Sequence, residues 1–213
     1  MSKAPRTPRD AWQLLTEGNR RFVSGSPEHP NQDAAHRDTV ADGQTPYAAL
    51  FGCSDSRLGA EMIFDVGLGD LFVVRNIGQT ISPSVIGSLE YAVAILKVQL
   101  ILILAHDGCG AVKEAIDSLR DSAVPLPPNI RVLTNTIHPA IHRVMASHAT
   151  TVIDDIHIDE VGEEHLRDTI GELLATSELI AEAVAAGGIA IVGATYNLKE
   201  GNVLPSVVIG DIE

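Results

Sequence analysis

An uninterrupted run of large aliphatic residues at positions 100–104 constrains the fold of this chain more than any other feature. Such a run is typical of a central parallel strand whose two faces are both covered by helices. Amphipathic patterns flank it, because the apolar residues of 89–96 and 112–119 recur every three or four positions and so share one helix face. Strands that alternate with such helices predict an α/β fold with a mostly parallel central sheet flanked by helices.

The rest of the chain continues this alternation. Thr7 followed by Pro8 predicts the start of a first helix, which ends near Gly25 and forms an N-terminal helical arm. This arm can pack on a neighbouring subunit or on its own core, and the sequence favours neither. Further strands are predicted at 48–51, 71–74, 189–192 and 203–209, and further helices at 60–64, 130–145 and 160–186.

Composition limits the partners of the chain. Its 15 basic and 28 acidic side chains give a formal net charge of −13, which argues against nucleic acid or an anionic membrane as a partner. No stretch approaches the roughly 18 apolar residues that span a bilayer, and residues 1–12 lack the apolar core of a signal peptide. Two cysteines make no disulfide framework, so we expect a reducing, cytoplasmic setting.

Both cysteines, and one histidine, follow predicted strands. Cys53 comes after the strand at 47–51, whereas His106 and Cys109 come after the strand at 100–105. If these strands are adjacent and parallel, the three side chains meet beyond their carboxyl ends, where open α/β sheets place their ligand sites. Two thiolates and one imidazole form a three-ligand set for one zinc ion and leave a fourth position open for water. The alternative is two buried structural cysteines beside a capping histidine.

Asp55 and Arg57 follow Cys53 closely. As a surface ion pair they would stabilise the fold little. An arginine that binds both carboxylate oxygens, however, keeps Asp55 ionised and restricts it to accepting hydrogen bonds. Beside a metal ligand, such a carboxylate can orient a zinc-bound hydroxide toward an electrophile. It is also close enough in sequence to take the fourth zinc position itself and close the site.

These two motifs, Cys53-Ser54-Asp55-Ser56-Arg57 and His106-x-x-Cys109-Gly110, resemble those of bacterial β-class carbonic anhydrases. The likeness extends over about residues 8–212 and includes three supporting stretches, at 63–70, 72–76 and 87–93. It implies a single catalytic domain over 1–213, with a helical arm and connection at 1–42 and an α/β zinc core at 43–213.

The resemblance also implies the reaction. Members of the family are zinc enzymes that reversibly hydrate CO2 to bicarbonate and a proton. Zinc would be held by Cys53, His106 and Cys109, and the Asp55–Arg57 pair would orient a zinc-bound hydroxide that attacks CO2. Two thiolates cancel the formal charge of the metal, so we expect its water to ionise less readily and hydration to rise through mildly alkaline pH.

A substrate pocket shared between subunits follows from the same resemblance. Gln44 matches a glutamine that hydrogen-bonds substrate, and Gly110 matches a glycine whose backbone N–H faces a substrate oxygen. Phe72, Ile77 and Tyr91 match apolar pocket positions that this family contributes across a dimer interface. We therefore expect a homodimer, which can pair into a homotetramer. From the residues alone, Phe72 and Ile77 would be core positions and Tyr91 a helix-face position.

Three other functions are compatible with parts of this pattern. The same zinc set can act on a sulfur analogue of CO2, such as carbonyl sulfide or carbon disulfide. A non-catalytic zinc or bicarbonate sensor, closed by Asp55, is a second possibility. A redox dithiol is the third and least favoured, because Cys53 and Cys109 do not form Cys-x-x-Cys. The proton released by hydration needs a carrier, and the sequence favours none among seven further histidines: His29, His36, His138, His142, His148, His157 and His165.

Overall fold

A single five-stranded sheet forms the centre of the protein, whose computed structural model describes residues 7–212. The strands are β1 (Ala48–Cys53), β2 (Leu71–Asn76), β3 (Leu100–His106), β4 (Ala190–Tyr196) and β5 (Val203–Ile209). They lie in the order β2-β1-β3-β4-β5. Strands β1 to β4 are parallel, and β5 pairs with β4 in the antiparallel direction. The prediction of a mostly parallel α/β sheet is confirmed.

Helices connect these strands and cover the sheet. Those in residues 7–212 are α1 (Pro8–Val23), α2 (Ala34–Thr39), α3 (Ala60–Ile63), α4 (Pro83–Ala94), α5 (Gly110–Asp117), α6 (Pro128–Asn135), α7 (His138–Ser147), α8 (Ile158–Thr176) and α9 (Glu178–Ala185). Short 3₁₀ turns lie at Ile77–Gln79 and Ile153–Asp155. In this part of the chain, no helix combines the length and apolar character needed to cross a membrane.

The predictions of one continuous helix at 130–145 and one at 160–186 were wrong. Each of these segments contains two helices, α6 and α7 in the first and α8 and α9 in the second. Proline is tolerated in the first turn of a helix but not in its interior, because it has no N–H to donate. Pro139 lies in the first turn of α7, and the helix before it ends at Asn135. Ser177 has an extended backbone, and its hydroxyl accepts a hydrogen bond from the Ile180 N–H and so caps α9.

Apolar layers cover both faces of the sheet. On one face α1, α3, α5 and α7 pack against side chains such as Leu50 and Leu102. On the other, α4, α8 and α9 pack against Phe51, Ile101 and Ile103. All seven residues of β3 are buried, as expected of a central strand covered on both faces.

Helix α1 packs on the core of its own chain. It begins as predicted, with Pro8 in its first turn and the Thr7 hydroxyl accepting a hydrogen bond from the Asp10 N–H. Leu15 is fully buried in the core. The buried Asn19 side chain bonds backbone groups of α3 and of the start of β5. These contacts tie the helix to α3 and to the start of β5 in its own chain.

The parallel strands give the sheet two distinct edges. Cys53, Asn76 and His106 end their strands at one edge, which we term the carboxyl edge. Ala48 and Leu71 begin their strands at the opposite edge, the amino edge. The loops of the carboxyl edge carry both sequence motifs, and this is the edge where open α/β sheets place their ligand sites.

Candidate metal centre and active site

The structure brings Cys53, His106 and Cys109 together at the carboxyl edge. Cys53 is the last residue of β1 and His106 the last residue of the adjacent parallel strand β3, while Cys109 occupies the position just before the first residue of α5. One ligand atom from each lies within 4.8 Å of the others. All three residues are buried, and neither cysteine is in a disulfide.

The state of His106 fits a metal ligand. Its Nδ1 donates a hydrogen bond of 2.8 Å to the backbone carbonyl of Asp107, since a carbonyl can only accept. In the neutral ring this leaves Nε2 with a lone pair, and among residues 7–212 the buried Nε2 has no hydrogen-bond partner. A buried lone pair without a partner is unfavourable unless an ion binds it. Two sulfurs and one imidazole nitrogen suit zinc, so the residues present fit this metal.

The two sulfurs interact with each other. A hydrogen bond from Cys109 lowers the pKa of the Cys53 thiol, and the same contact raises the pKa of Cys109. The backbone N–H of Gly78 also donates to Cys53 Sγ at 3.4 Å. The surroundings therefore favour negative charge on Cys53, which is the form of sulfur that binds metals.

Asp55 and Arg57 form a two-pronged ion pair beside this cluster. Arg57 Nε lies 2.9 Å from Asp55 Oδ1 and Nη2 lies 2.6 Å from Oδ2, while the Arg57 backbone N–H also donates to Oδ1 at 2.9 Å. These bonds hold the pKa of Asp55 well below its usual range. Oδ2 is 3.9 Å from His106 Nε2, so an ionised carboxylate lies next to the candidate metal ligands.

Arg75, at the end of β2, holds the loop that carries Cys53 and Asp55. Its Nε donates to the Cys53 carbonyl at 2.9 Å and its Nη2 to the Asp55 carbonyl at 2.6 Å. Reasoning from the sequence assigned this arginine no role. No local signal was available, because this contact depends on the pairing of Asn76 with Cys53 in the sheet, which places Arg75 beside the loop.

The five predicted substrate residues divide between the two edges. Gly110 is the first residue of α5 and Ile77 the first of the turn after β2, so both lie at the carboxyl edge. Gln44 precedes β1 in an exposed loop, and Phe72 is the second residue of β2, so both lie at the amino edge. Tyr91, in the last turn of α4, packs on Phe72 with ring centroids 6.1 Å apart.

Within one chain, the amino-edge group is distant from the candidate metal ligands. Phe72 pairs with Ala49, which lies four residues before Cys53 in β1. At about 3.3 Å per residue, that spacing corresponds to roughly 13 Å along the strand. Tyr91 is 45% exposed, which leaves its ring available to a second molecule.

Sequence comparison identifies the family. A family model described as carbonic anhydrase matches residues 48–203. Carbonic anhydrase 2 of Mycobacterium tuberculosis is 44% identical over 203 residues, which cover 95% of this chain and 94% of the relative. The carbonic anhydrase of Mycolicibacterium smegmatis is 43% identical over 202 residues and covers 95% of both chains.

Solved structures agree with the sequence comparison. A β-carbonic anhydrase of Coccomyxa, in complex with acetazolamide, superposes with a TM-score of 0.71 at 25% identity, covering 92% of this chain and 87% of its own. A tetrameric β-carbonic anhydrase of Sordaria macrospora shares the fold, with a TM-score of 0.71 at 23% identity and coverage of 93% and 98%. With most of its length matched in sequence and in structure, the chain belongs to the β-carbonic anhydrase family of enzymes.

Proposed function

We propose that this protein catalyses the reversible hydration of CO2 to bicarbonate and a proton, with one zinc ion per chain. The observation that carries the proposal is the buried Cys53–His106–Cys109 cluster with the Arg57-bound carboxylate of Asp55 beside it. Cys53, His106 and Cys109 would hold the zinc. When bound, zinc supplies hydroxide near neutral pH by lowering the pKa of water.

In this proposal, Asp55 orients the attacking oxygen. Its depressed pKa keeps the carboxylate ionised, so it can only accept a hydrogen bond. By accepting a hydrogen bond from the attacking oxygen, it would turn a lone pair of that oxygen toward CO2. Arg57 fixes the carboxylate and offsets its charge. A closed state with Asp55 as a fourth metal ligand would compete with the two Arg57 bonds for the carboxylate, so this ion pair supports the open state.

Substrate binding is assigned to both edges of the sheet. The Gly110 N–H belongs to the first turn of α5, where it has no intrahelical partner, and can donate to a substrate oxygen. Ile77 supplies apolar surface at the carboxyl edge. Gln44, Phe72 and Tyr91 would supply an amide donor and apolar wall from a second copy of the chain, since they lie at the far edge of their own.

This division supports a homodimer with shared active sites. The exposed Tyr91 ring and the half-buried edge strand β2 give the amino-edge group a surface that a second copy can cover. We propose that such dimers can pair into tetramers, as the tetrameric Sordaria macrospora relative suggests. A reducing, cytoplasmic setting suits a ligand set of two free thiols.

The deciding experiment is stopped-flow CO2 hydration at pH 7 and pH 8.5, with zinc content measured on the same sample. The proposal expects about one zinc per chain and hydration that is faster at the higher pH. The Asp55→Asn variant, which keeps the shape of the side chain but loses its charge, should retain zinc and lose activity. Zinc without hydration at either pH would overturn the CO2 assignment, and assays with carbonyl sulfide and carbon disulfide on that sample would test the sulfur alternative.

A further inference from the structure

Two buried polar side chains of α8 contact the turn at Ile77–Gln79. His165 and Thr169 are four residues apart, so they share one helix face, and they are 3% and 2% exposed. His165 Nε2 lies 2.8 Å from the carbonyl oxygen of Gly78. The Thr169 hydroxyl lies 3.4 Å from the next carbonyl of the turn, that of Gln79, and 2.9 Å from the His165 carbonyl.

The backbone conformation of this turn is unfavourable without supporting contacts. Gly78 and Gln79 both have positive φ, of 67° and 41°. Glycine adopts such angles without strain, whereas glutamine does not. A Cβ on Gly78 would lie 2.8 Å from the Ala111 Cβ, so the turn is also tightly packed against α5. Bonds from α8 therefore help to maintain the turn.

The turn in its observed shape directs a donor at a candidate zinc ligand. The Gly78 N–H donates to Cys53 Sγ at 3.4 Å, so a chain of two hydrogen bonds links His165 to the sulfur through Gly78. Groups that hydrogen-bond a metal ligand set its orientation and its basicity. A displaced turn would withdraw the N–H and leave the Cys53 sulfur without this donor.

The tautomer of His165 follows from its partner. A carbonyl oxygen only accepts, so Nε2 carries a proton, and in the neutral ring Nδ1 carries none. Nδ1 is buried and has no hydrogen-bond partner among residues 7–212. Burial lowers the pKa of His165, and this effect exceeds the opposing effects of the Gly78 carbonyl and of Asp168. His165 is thus a neutral, buried donor, and we assign it no part in carrying the released proton.

We propose that His165 is a positioning residue of the metal centre: by bonding the Gly78 carbonyl, it fixes the turn whose N–H donates to the Cys53 sulfur. The inference rests on the proposed function only in taking Cys53 as a zinc ligand. His165 itself does not contact that ligand, and it acts through the backbone of the turn.

Three variants of the full-length protein test the proposal. His165→Leu keeps apolar bulk but removes the donor, and His165→Gln restores an N–H that can reach the carbonyl. Ser177→Ala is the control, because it removes a buried hydroxyl at the other end of α8 that bonds Glu90 and caps α9 without touching the turn. Zinc affinity is measured by competition with a chromophoric chelator, and protection of the Gly78 amide by hydrogen exchange.

His165→Leu should weaken zinc binding by about 10- to 100-fold and should lose protection of the Gly78 amide. His165→Gln should recover most of both, and Ser177→Ala should leave both unchanged. Wild-type zinc affinity and Gly78 protection in His165→Leu would overturn the proposal. Neither readout uses CO2, so a zinc-binding protein without hydration activity would refute the proposed function and leave this inference open to its own test.

A measurement on the unmodified protein covers the case in which His165→Leu does not fold. Nitrogen-15 NMR of the wild-type histidines at pH 8 should show His165 as the neutral tautomer protonated on Nε2. A tautomer protonated on Nδ1 alone would contradict the bond to Gly78 and with it the proposal.

Discussion

Arg57 holds the carboxylate of Asp55 by both of its oxygens, at 2.9 and 2.6 Å, two residues beyond the metal-ligand candidate Cys53. The pair lies at the mouth of the site, where Arg57 remains about half exposed and Asp55 is 17% exposed. The arginine therefore determines both the charge of Asp55 and the direction in which its lone pairs point. In the proposed mechanism, that direction sets the approach of the attacking oxygen to CO2.

Replacing Arg57 with leucine should lower kcat/KM for CO2 hydration by about 100-fold while zinc content is unchanged, because the carboxylate loses its orientation but the metal ligands remain. Stopped-flow hydration with zinc analysis on the same sample measures both quantities. Arg37→Leu is the matched control. Arg37 is exposed, and its ion pair with the exposed Asp38 is long, at 3.9 Å, so its removal should cost little. Full activity in Arg57→Leu would contradict the role given to the pair.

Arg75→Lys tests the loop contact that the sequence did not reveal. Lysine keeps the charge but cannot place two fixed donors on the carbonyls of Cys53 and Asp55. We expect zinc affinity and hydration to fall together, by about 10-fold, because the loop carries a metal ligand and Asp55. Chelator competition gives the affinity, and Arg37→Lys serves as the control. A fall in hydration alone would show that Arg75 acts on Asp55 and not on the metal ligand.

Local features of the fold could be predicted from the sequence, whereas long-range contacts could not. The aliphatic run of β3 and the helix start at Thr7 and Pro8 are properties of a few neighbouring residues, and both predictions hold in the structure. The break at Ser177 also had a local signal, a hydroxyl residue in capping position, but the long helical pattern around it concealed that signal.

The supporting contacts of the site could not be read from the sequence. Arg75 is 22 positions from Cys53, and His165 is 87 positions from Gly78. Each contact depends on strand order and on which face of α8 meets the turn. Neither is encoded in a local pattern, and a buried histidine has the same sequence signature as an exposed one.

Asp65 gives a prediction about stability. Its side chain is fully buried and accepts hydrogen bonds from Arg21 Nε at 2.5 Å and from the backbone N–H groups of Glu28 and His29, both at 2.9 Å. Asp65→Asn should reduce the free energy of unfolding at pH 7 by about 3 kcal/mol, because the Arg21 charge and two backbone donors lose an ionised partner. Urea unfolding measures the change, with the exposed Asp38→Asn as control.

The pH dependence of this effect has a definite sign. Burial raises the pKa of Asp65, but its hydrogen bonds outweigh burial and the net pKa is lowered. A depressed folded-state pKa stabilises the protein above the unfolded value of about 3.9, and the stabilisation is lost as pH falls through the folded value. The cost of Asp65→Asn should therefore be constant from pH 7 to pH 5.5 and shrink below about pH 4. A cost that grew on acidification would refute the assignment of the ionised form.

The ligand set leads to a prediction about the pH profile of activity. Two thiolates, from Cys53 and Cys109, would neutralise the formal charge of Zn2+, so water at this site should lose its proton less readily than at a three-histidine zinc site. Hydration should therefore rise between pH 7 and pH 8.5. Stopped-flow rates from pH 6 to pH 9 at constant ionic strength give the profile. A flat profile over that interval would contradict the charge argument.

The separation of Gln44 from the metal ligands of its own chain can be tested by mixing two defective chains. A Gln44→Ala chain would lack the proposed substrate-binding amide, and an Asp55→Asn chain would lack the proposed orienting carboxylate, so each homodimer should have less than about a tenth of wild-type activity. In a mixed dimer with shared sites, one site combines the intact Asp55 of one chain with the intact Gln44 of the other. The second site carries both defects.

Co-expression with two different affinity tags and purification over both isolates the mixed dimer, and doubly tagged wild-type protein serves as the control. If the sites are shared, the mixed dimer should regain about half of the control activity, because one of its two sites is intact. If Gln44 instead served the site of its own chain, each site of the mixed dimer would keep one defect, and activity would stay as low as in the homodimers. The recovered activity therefore measures directly whether the amino edge of one chain completes the carboxyl edge of the next.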